Sequence, residues 1–219
     1  MVIQDRDFIR ISYTGRFEDG TVFDTTDEET AKENDLYDEN ARYEPFVIVV
    51  GSKHVAEGLD EDLIGKDAGY HGTVEVPPTK GYGEREAELI TTHSISGFKE
   101  KPVAGARVRI DGKEGVVTMT IGRKVRVDFN HPMAGKTLIF DYNIEDVLDD
   151  DTTKTKALLR SYFVVDFDVE VTDDIVRIES PRNLLFNERW IIMKEKLARE
   201  LLQSIDIDSV KFVETYSES

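Results

Sequence analysis

The sequence predicts an α+β protein: an antiparallel sheet with a short helix, interrupted by a small all-β insert and followed by a small α+β unit. Three observations predict this. The strand-like runs at the start lack a distant partner until KTLIFDYNIEDVL, which arrives some hundred residues later. Between them the texture changes, from Glu84 onward, to short strands crowded by tight turns. Beyond Asp149-Asp150-Asp151 a second hairpin, a long helix and a last strand follow. The expected domains are 1–83 with 130–150, the insert 84–129, and a C-terminal unit 151–219, since an inserted domain needs its two ends close together.

Each element has a local reason. FIRISYTGRF and TVFDTT form a hairpin across Glu18-Asp19-Gly20. Residues 26 to 44 are polar and acidic, a long loop with a short helix at EETAKEN. PFVIVVG is a strongly apolar strand, and after it Val55, Leu59 and Leu63 recur at fourfold spacing in a short helix stopped by Gly65. GTVEV alternates and ends at Pro77-Pro78, where sheet pairing stops. Residues 84 to 100 are loop-like, and ARVRI, GVVTMT and KVRVDF then form three strands turned at Asp111-Gly112 and Gly122-Arg123. Asp149 to Thr153 is expected as a polar linker. YFVVDFDVEV and DIVRIES are expected as a hairpin, and the following helix carries Trp190, Lys194, Leu197 and Leu201 on one stripe, expected as core. SVKFVETY closes the chain as a strand.

Composition excludes several function classes. Net charge is −17, from 45 acidic and 28 basic residues, which disfavours nucleic acid as a partner because phosphate backbones reward Lys/Arg clusters. There is no cysteine, so disulfides, thiolate metal sites and cysteine nucleophiles are excluded. No run approaches the roughly 18 apolar residues of a spanning helix, and no signal peptide is read, so the expectation is a cytoplasmic protein without a membrane partner. His54, His71, His93 and His131 show no ligand spacing, so no metal and no cofactor are expected. No nucleophile elbow occurs, and Gly81-Tyr82-Gly83 lacks the lysine and helix of a phosphate loop.

ISYTGRFEDGTVFDTT, PFVIVVGSKHVAEGLDEDLIG, GYHGTVEVPPTKGYG and TLIFDYNIEDVL, in that order, resemble the FKBP-type peptidyl-prolyl cis-trans isomerases over residues 8–83 and 131–148. The family fold is an antiparallel sheet wrapped around a short helix. The insert sits where SlyD-like members carry their insert-in-flap domain, and VDFNHPMAGKTLIF is similar to their re-entry segment. The C-terminal unit resembles that of long archaeal members. The resemblance implies an isomerase and chaperone acting on unfolded or proline-containing polypeptides, with a pocket open to macrolide inhibitors.

By that resemblance Tyr13, Phe23, Phe46, Tyr82 and Phe140 line the prolyl pocket, Val55 and Ala56 form its rim and Leu59 its floor. Asp24 orients peptide or walls, and the Tyr82 hydroxyl and Ala56 amide hold substrate carbonyls. Leu59 stands where many members have tryptophan, which weakens macrolide binding, and His54 replaces an acid, which implies altered substrate preference. On composition alone the aromatics would be core and Asp24 a turn or capping acid. Two functions stay open: an isomerase whose insert captures substrate, and a non-catalytic holdase using the same surfaces. Ile90, Ile95, Phe98, Val103 and Met119 are candidates for capture, or equally for the insert's own core.

Overall fold

A computed structural model describes residues 1–216. The chain divides into two compact units, one of residues 1–76 with 138–216 and one of residues 77–137.

In the first unit, β1 (Phe8–Phe17) pairs with β2 (Val22–Thr25) and β3 (Phe46–Val49) along one edge. Along its other edge lies β9 (Leu138–Leu148), which pairs in turn with β4 (His71–Val76), and every pairing is antiparallel. The late strand is therefore the central partner of the opening hairpin. The turn at Gly20 takes φ 86°, the left-handed region that a glycine enters at no steric cost. The predicted loop helix is present as α1 (Glu28–Glu33), capped by Asp27, which accepts the Thr30 N–H at 2.8 Å.

The short helix α2 (Glu57–Leu63) buries Leu59 and Leu63 completely. Its approach to the sheet is set by Gly58, where a β-carbon would lie 2.8 Å from Val76. Register puts Leu138 opposite Val76 and Phe140 opposite Val74, so one face of the sheet carries Leu138, Phe140, Tyr142 and Ile144 toward this helix. Tyr142 donates its hydroxyl to Asp62 of α2, and burial pushes that phenol above its ordinary range.

The opposite face is also buried. Phe8 pairs with Val49 and with Leu148, and these three with Val47 belong to one core with the C-terminal segment. That is why PFVIVVG shows a continuous apolar run: a strand covered on both faces has no polar side to alternate. The covering elements are α3 (Asp151–Tyr162), α4 (Glu188–Ser204) and a sheet of β10 (Val169–Thr172), β11 (Ile175–Glu179) and β12 (Ser209–Val213). β11 and β12 run parallel. Trp190 is fully buried against Phe163, Phe167 and Phe212, with ring centroids 5.2–5.4 Å away. Leu197 and Leu201 are buried as expected, whereas Lys194 lies over the Trp190 ring and reaches Glu214 at 3.3 Å.

Two sequence expectations fail in this segment. The stretch 149–153 is no linker: the Asp150 carboxylate accepts from both the N–H and the hydroxyl of Thr153, capping α3, and Leu158 and Leu159 bury its inner face. YFVVDFDVEV is a strand only from Val169. Its first residues end α3, and the alternating Phe163 and Phe167 point into the shared core from a connecting segment.

The second unit is a four-stranded antiparallel sheet in the order β5 (Ile90–Ser94), β8 (Lys124–Asp128), β7 (Lys113–Ile121), β6 (Arg107–Ile110). β5 lies in the stretch expected as loop. Among the described residues it pairs only with β8, and an edge strand tolerates the polar residues that hid it. Its core is Val117, Val125 and Val127, with Ile95, Phe98, Val108 and Phe129 against them. The hairpin turn at Asp111-Gly112 has φ 49° and 80°, which suits the twist of the flanking strands. Among the described residues no helix is long and apolar enough to cross a membrane.

Three strands of the main sheet are tied by one carboxylate. Arg16 of β1 donates to both oxygens of Asp141 on β9 (2.9 and 3.3 Å), and Thr73 of β4 donates at 2.6 Å. The Arg16 hydrogen bond leads in holding the Asp141 carboxyl below the usual range. A lowered folded-state value means the stabilisation is present above the unfolded value, about pH 4, and is lost as pH falls through the lower folded value. Asp141→Asn is therefore expected to lower the melting temperature at pH 6 and to converge on wild type at pH 2–3. An equal deficit at both pH values would rule the linkage out.

Candidate functional site

The ring cluster grows from one glycine. Gly15 stands in β1 with Asp24 opposite on β2 and Phe140 opposite on β9. A β-carbon there would lie 2.6 Å from Phe23 and 3.1 Å from Phe140, so the absent side chain is what lets Phe23 cross the strand. The register between β1 and β2 slips at this point, from Gly15 opposite Asp24 to Arg16 opposite Val22, and Phe23 occupies the slip.

Phe140 is the hub. Phe23 meets it edge-on at 5.7 Å between centroids, Tyr13 at 5.9 Å, and Phe17 packs on Phe23 at 4.8 Å. Tyr13 donates its hydroxyl to Asp24 at 2.7 Å, so the carboxylate beside Phe23 is held by a ring that also packs on Phe140. Phe46, half-buried at the start of β3, pairs with Ile11, two residues before Tyr13 and on the same face.

The remaining predicted residues fall in two places. Leu59 is fully buried on α2, and Val55 and Ala56 are half-buried where that helix begins. Ala56 is the N-cap and offers no side-chain acceptor to the first turn. Tyr82 belongs to the second unit, where its ring stacks on His131 at 4.3 Å. The structure thus brings Tyr13, Phe23, Asp24 and Phe140 into contact, sets Phe46 on their face, and places Tyr82 in the other unit.

His54, expected at the rim, is held by residues that sequence reasoning missed. Its Nε2 contacts Glu200 of α4 and lies 3.3 Å from the Tyr162 hydroxyl of α3. Glu200 is the charged residue among those α4 buries, and a carboxylate next to Leu201 and one turn from Leu197 on the core-facing side is the signal that could have marked it. His93 bonds Thr91 at 2.7 Å, and His71 is exposed on β4.

A sheet face of edge-packed rings, with one carboxylate held by a phenol, is suited to an apolar peptide segment. Comparison with known proteins gives the class its name. The family model described as FKBP-type peptidyl-prolyl cis-trans isomerase matches residues 2–141, and one described as FKBP26_C-terminal matches residues 151–217. A short-type peptidyl-prolyl cis-trans isomerase of Methanocaldococcus jannaschii is 36% identical over 149 residues, covering 67% of this chain and 94% of that protein. The FKBP-type 16 kDa peptidyl-prolyl cis-trans isomerase of Escherichia coli is 28% identical over 152 residues, covering 66% and 93%. The SlyD protein of Treponema pallidum is 29% identical over 165 residues, covering 73% and 86%. This chain belongs to the FKBP-type peptidyl-prolyl cis-trans isomerases.

Proposed function

We propose that the protein accelerates X-Pro isomerisation in unfolded or partly folded polypeptides, with the ring cluster as prolyl site and the insert as the surface that captures clients. The observation that carries the site is the contact of Tyr13, Phe23 and Phe140 over Gly15, with Asp24 held at its edge.

Rotation about an X-Pro bond faces the ~18–20 kcal/mol barrier of an amide, because twisting removes resonance. The twisted bond is less polar than the planar one, so an apolar, ring-walled surface binds it better than water does. Phe23, Phe46 and Phe140 are proposed to take the proline ring and Leu59 to close the floor. The Ala56 N–H and the Tyr82 hydroxyl are proposed to hold substrate carbonyls, and Asp24 the geometry of the wall. No bond to the protein is needed. A hundredfold acceleration takes about 2.7 kcal/mol of differential binding, within reach of a few such contacts. Macrolide inhibitors are proposed to enter the same site and to bind weakly over Leu59.

The insert supports capture through side chains its own core leaves out. Ile95 and Phe98 pack on that core. Val103, Met119 and Ile121 are 68%, 45% and 66% exposed, and an apolar surface of this kind suits non-native chains. A second contact on the same client raises the concentration of prolyl bonds near the site. The proposed division is 1–83 with 130–150 for catalysis, 84–129 for capture and 151–219 as the C-terminal part.

Proline-limited refolding of a test protein, with the full chain and with a variant lacking 84–129, checks both halves. The full chain is expected to accelerate the slow phase at catalytic amounts, and the deletion to keep only peptide-level activity. Suppressed aggregation without any acceleration would leave a holdase and remove the isomerase.

A further inference from the structure

The residue ahead of Val55 and Ala56 is tied to the C-terminal segment by a buried polar chain that the prolyl-site reading does not use. The turn before it is tight: Gly51 and Lys53 have φ 83° and 60°, and Asp60 of α2 accepts the Gly51 N–H at 3.0 Å. The His54 Nδ1 accepts the Val49 N–H at 3.1 Å, so the ring proton sits on Nε2. That nitrogen faces Glu200 Oε1 and the Tyr162 hydroxyl, and Tyr162 donates to Glu200 Oε2 at 3.1 Å. Burial, then the Glu200 charge, pushes the Tyr162 phenol above its ordinary range and keeps it a donor. The His54 and Glu200 side chains are 10% and 9% exposed.

We infer that Glu200 is a positioning residue for the prolyl site: through Tyr162 and His54 it fixes the 51–56 backbone, and with it the Val55–Ala56 rim. The inference rests on the proposed function of that rim. Docking of the C-terminal segment does not require a carboxylate, because Phe8, Val47, Val49 and Leu148 already join its apolar core. Burying a charge costs desolvation that the Coulomb gain rarely exceeds, so a buried polar link adds direction more than stability. Direction matters here, because His54 is one residue from Val55 and two from the N-cap of α2. Sites that hold a reacting group lose rate steeply when it shifts by a fraction of an ångström.

The test uses the full chain and a short X-Pro peptide, well below the melting temperature. Glu200→Ala leaves the Tyr162 hydroxyl without its acceptor and removes the carboxylate that His54 Nε2 faces, and kcat/KM is expected to fall about tenfold with the circular dichroism unchanged. Glu200→Gln keeps an acceptor for the Tyr162 hydroxyl and is expected to stay within about threefold of wild type. A purely structural role would lower the melting temperature in Glu200→Ala and leave kcat/KM untouched, and that result overturns the inference. If Glu200→Ala does not fold, Tyr162→Phe takes its place. Its expected result is about a threefold loss with a shifted Ala56 amide resonance, and no change in either would overturn the inference. A wild-type chain inactive on the peptide would sink the prolyl site alone. The Val55 and Ala56 amide resonances of Glu200→Ala then decide positioning by themselves, moved supporting it and unmoved ending it.

Discussion

Phe23→Ala is expected to cut kcat/KM on a proline peptide about thirtyfold while the chain stays folded. Phe23 is half-buried and lies across Gly15 against Phe140 and Phe17, so its ring is a wall more than a support. Removing an aromatic contact of this size from a bound proline forfeits about 2 kcal/mol of transition-state binding, which is a factor of about 30. Gly15→Ala attacks the same ring without deleting it. The new methyl needs the space 2.6 Å from Phe23, so the ring must swing aside, and a similar loss is expected from a change of one carbon. Steady-state kinetics on the peptide, with urea unfolding as control, checks both. Activity within twofold of wild type in Phe23→Ala would remove this cluster as the prolyl site.

How far the sequence revealed this arrangement differs from element to element. The opening hairpin, its late partner β9 and the short helix were legible because each carries a strong local signal: the Glu18-Asp19-Gly20 turn, alternation in LIFDYNIEDVL and the fourfold spacing of Leu59 and Leu63. β5 was hidden because Thr91, Thr92 and His93 make a polar edge strand whose only stabilising partner is remote in sequence. α3 was hidden for a different reason. Its first residues are acidic and β-branched, poor helix formers alone, and the helix depends on the Asp150 cap and on Leu158 and Leu159 meeting a core supplied by other elements. The site split along the same line. Tyr13, Phe23, Asp24 and Phe140 fall in motifs and converge, whereas Tyr162 and Glu200 act on the rim from positions 108 and 146 residues beyond His54, a distance that no local pattern encodes.

Trp190→Ala is expected to destabilise the chain by about 3–5 kcal/mol, the cost of emptying a large buried site. Trp190 has no solvent exposure and three aromatic neighbours, so its removal leaves a cavity bounded by rigid rings that collapse poorly. Its indole N–H has no hydrogen-bond partner among the described residues, an unsatisfied donor that offsets part of what the ring contributes. Trp190→Phe removes that donor along with some volume, and is expected to cost less than half as much as the alanine variant. The core around Trp190 continues to Phe8, Val49 and Leu148 of the main sheet, so the damage is expected to reach that sheet. Urea unfolding followed by far-ultraviolet circular dichroism gives the two costs. Amide hydrogen exchange at Phe8 and Val49 gives the reach. Protection there is expected to fall together with that of α4 in Trp190→Ala, since one core opens as one cooperative unit. If α4 exchanges freely while Phe8 and Val49 keep wild-type protection, the C-terminal segment unfolds on its own and the shared core is only a contact between independent parts.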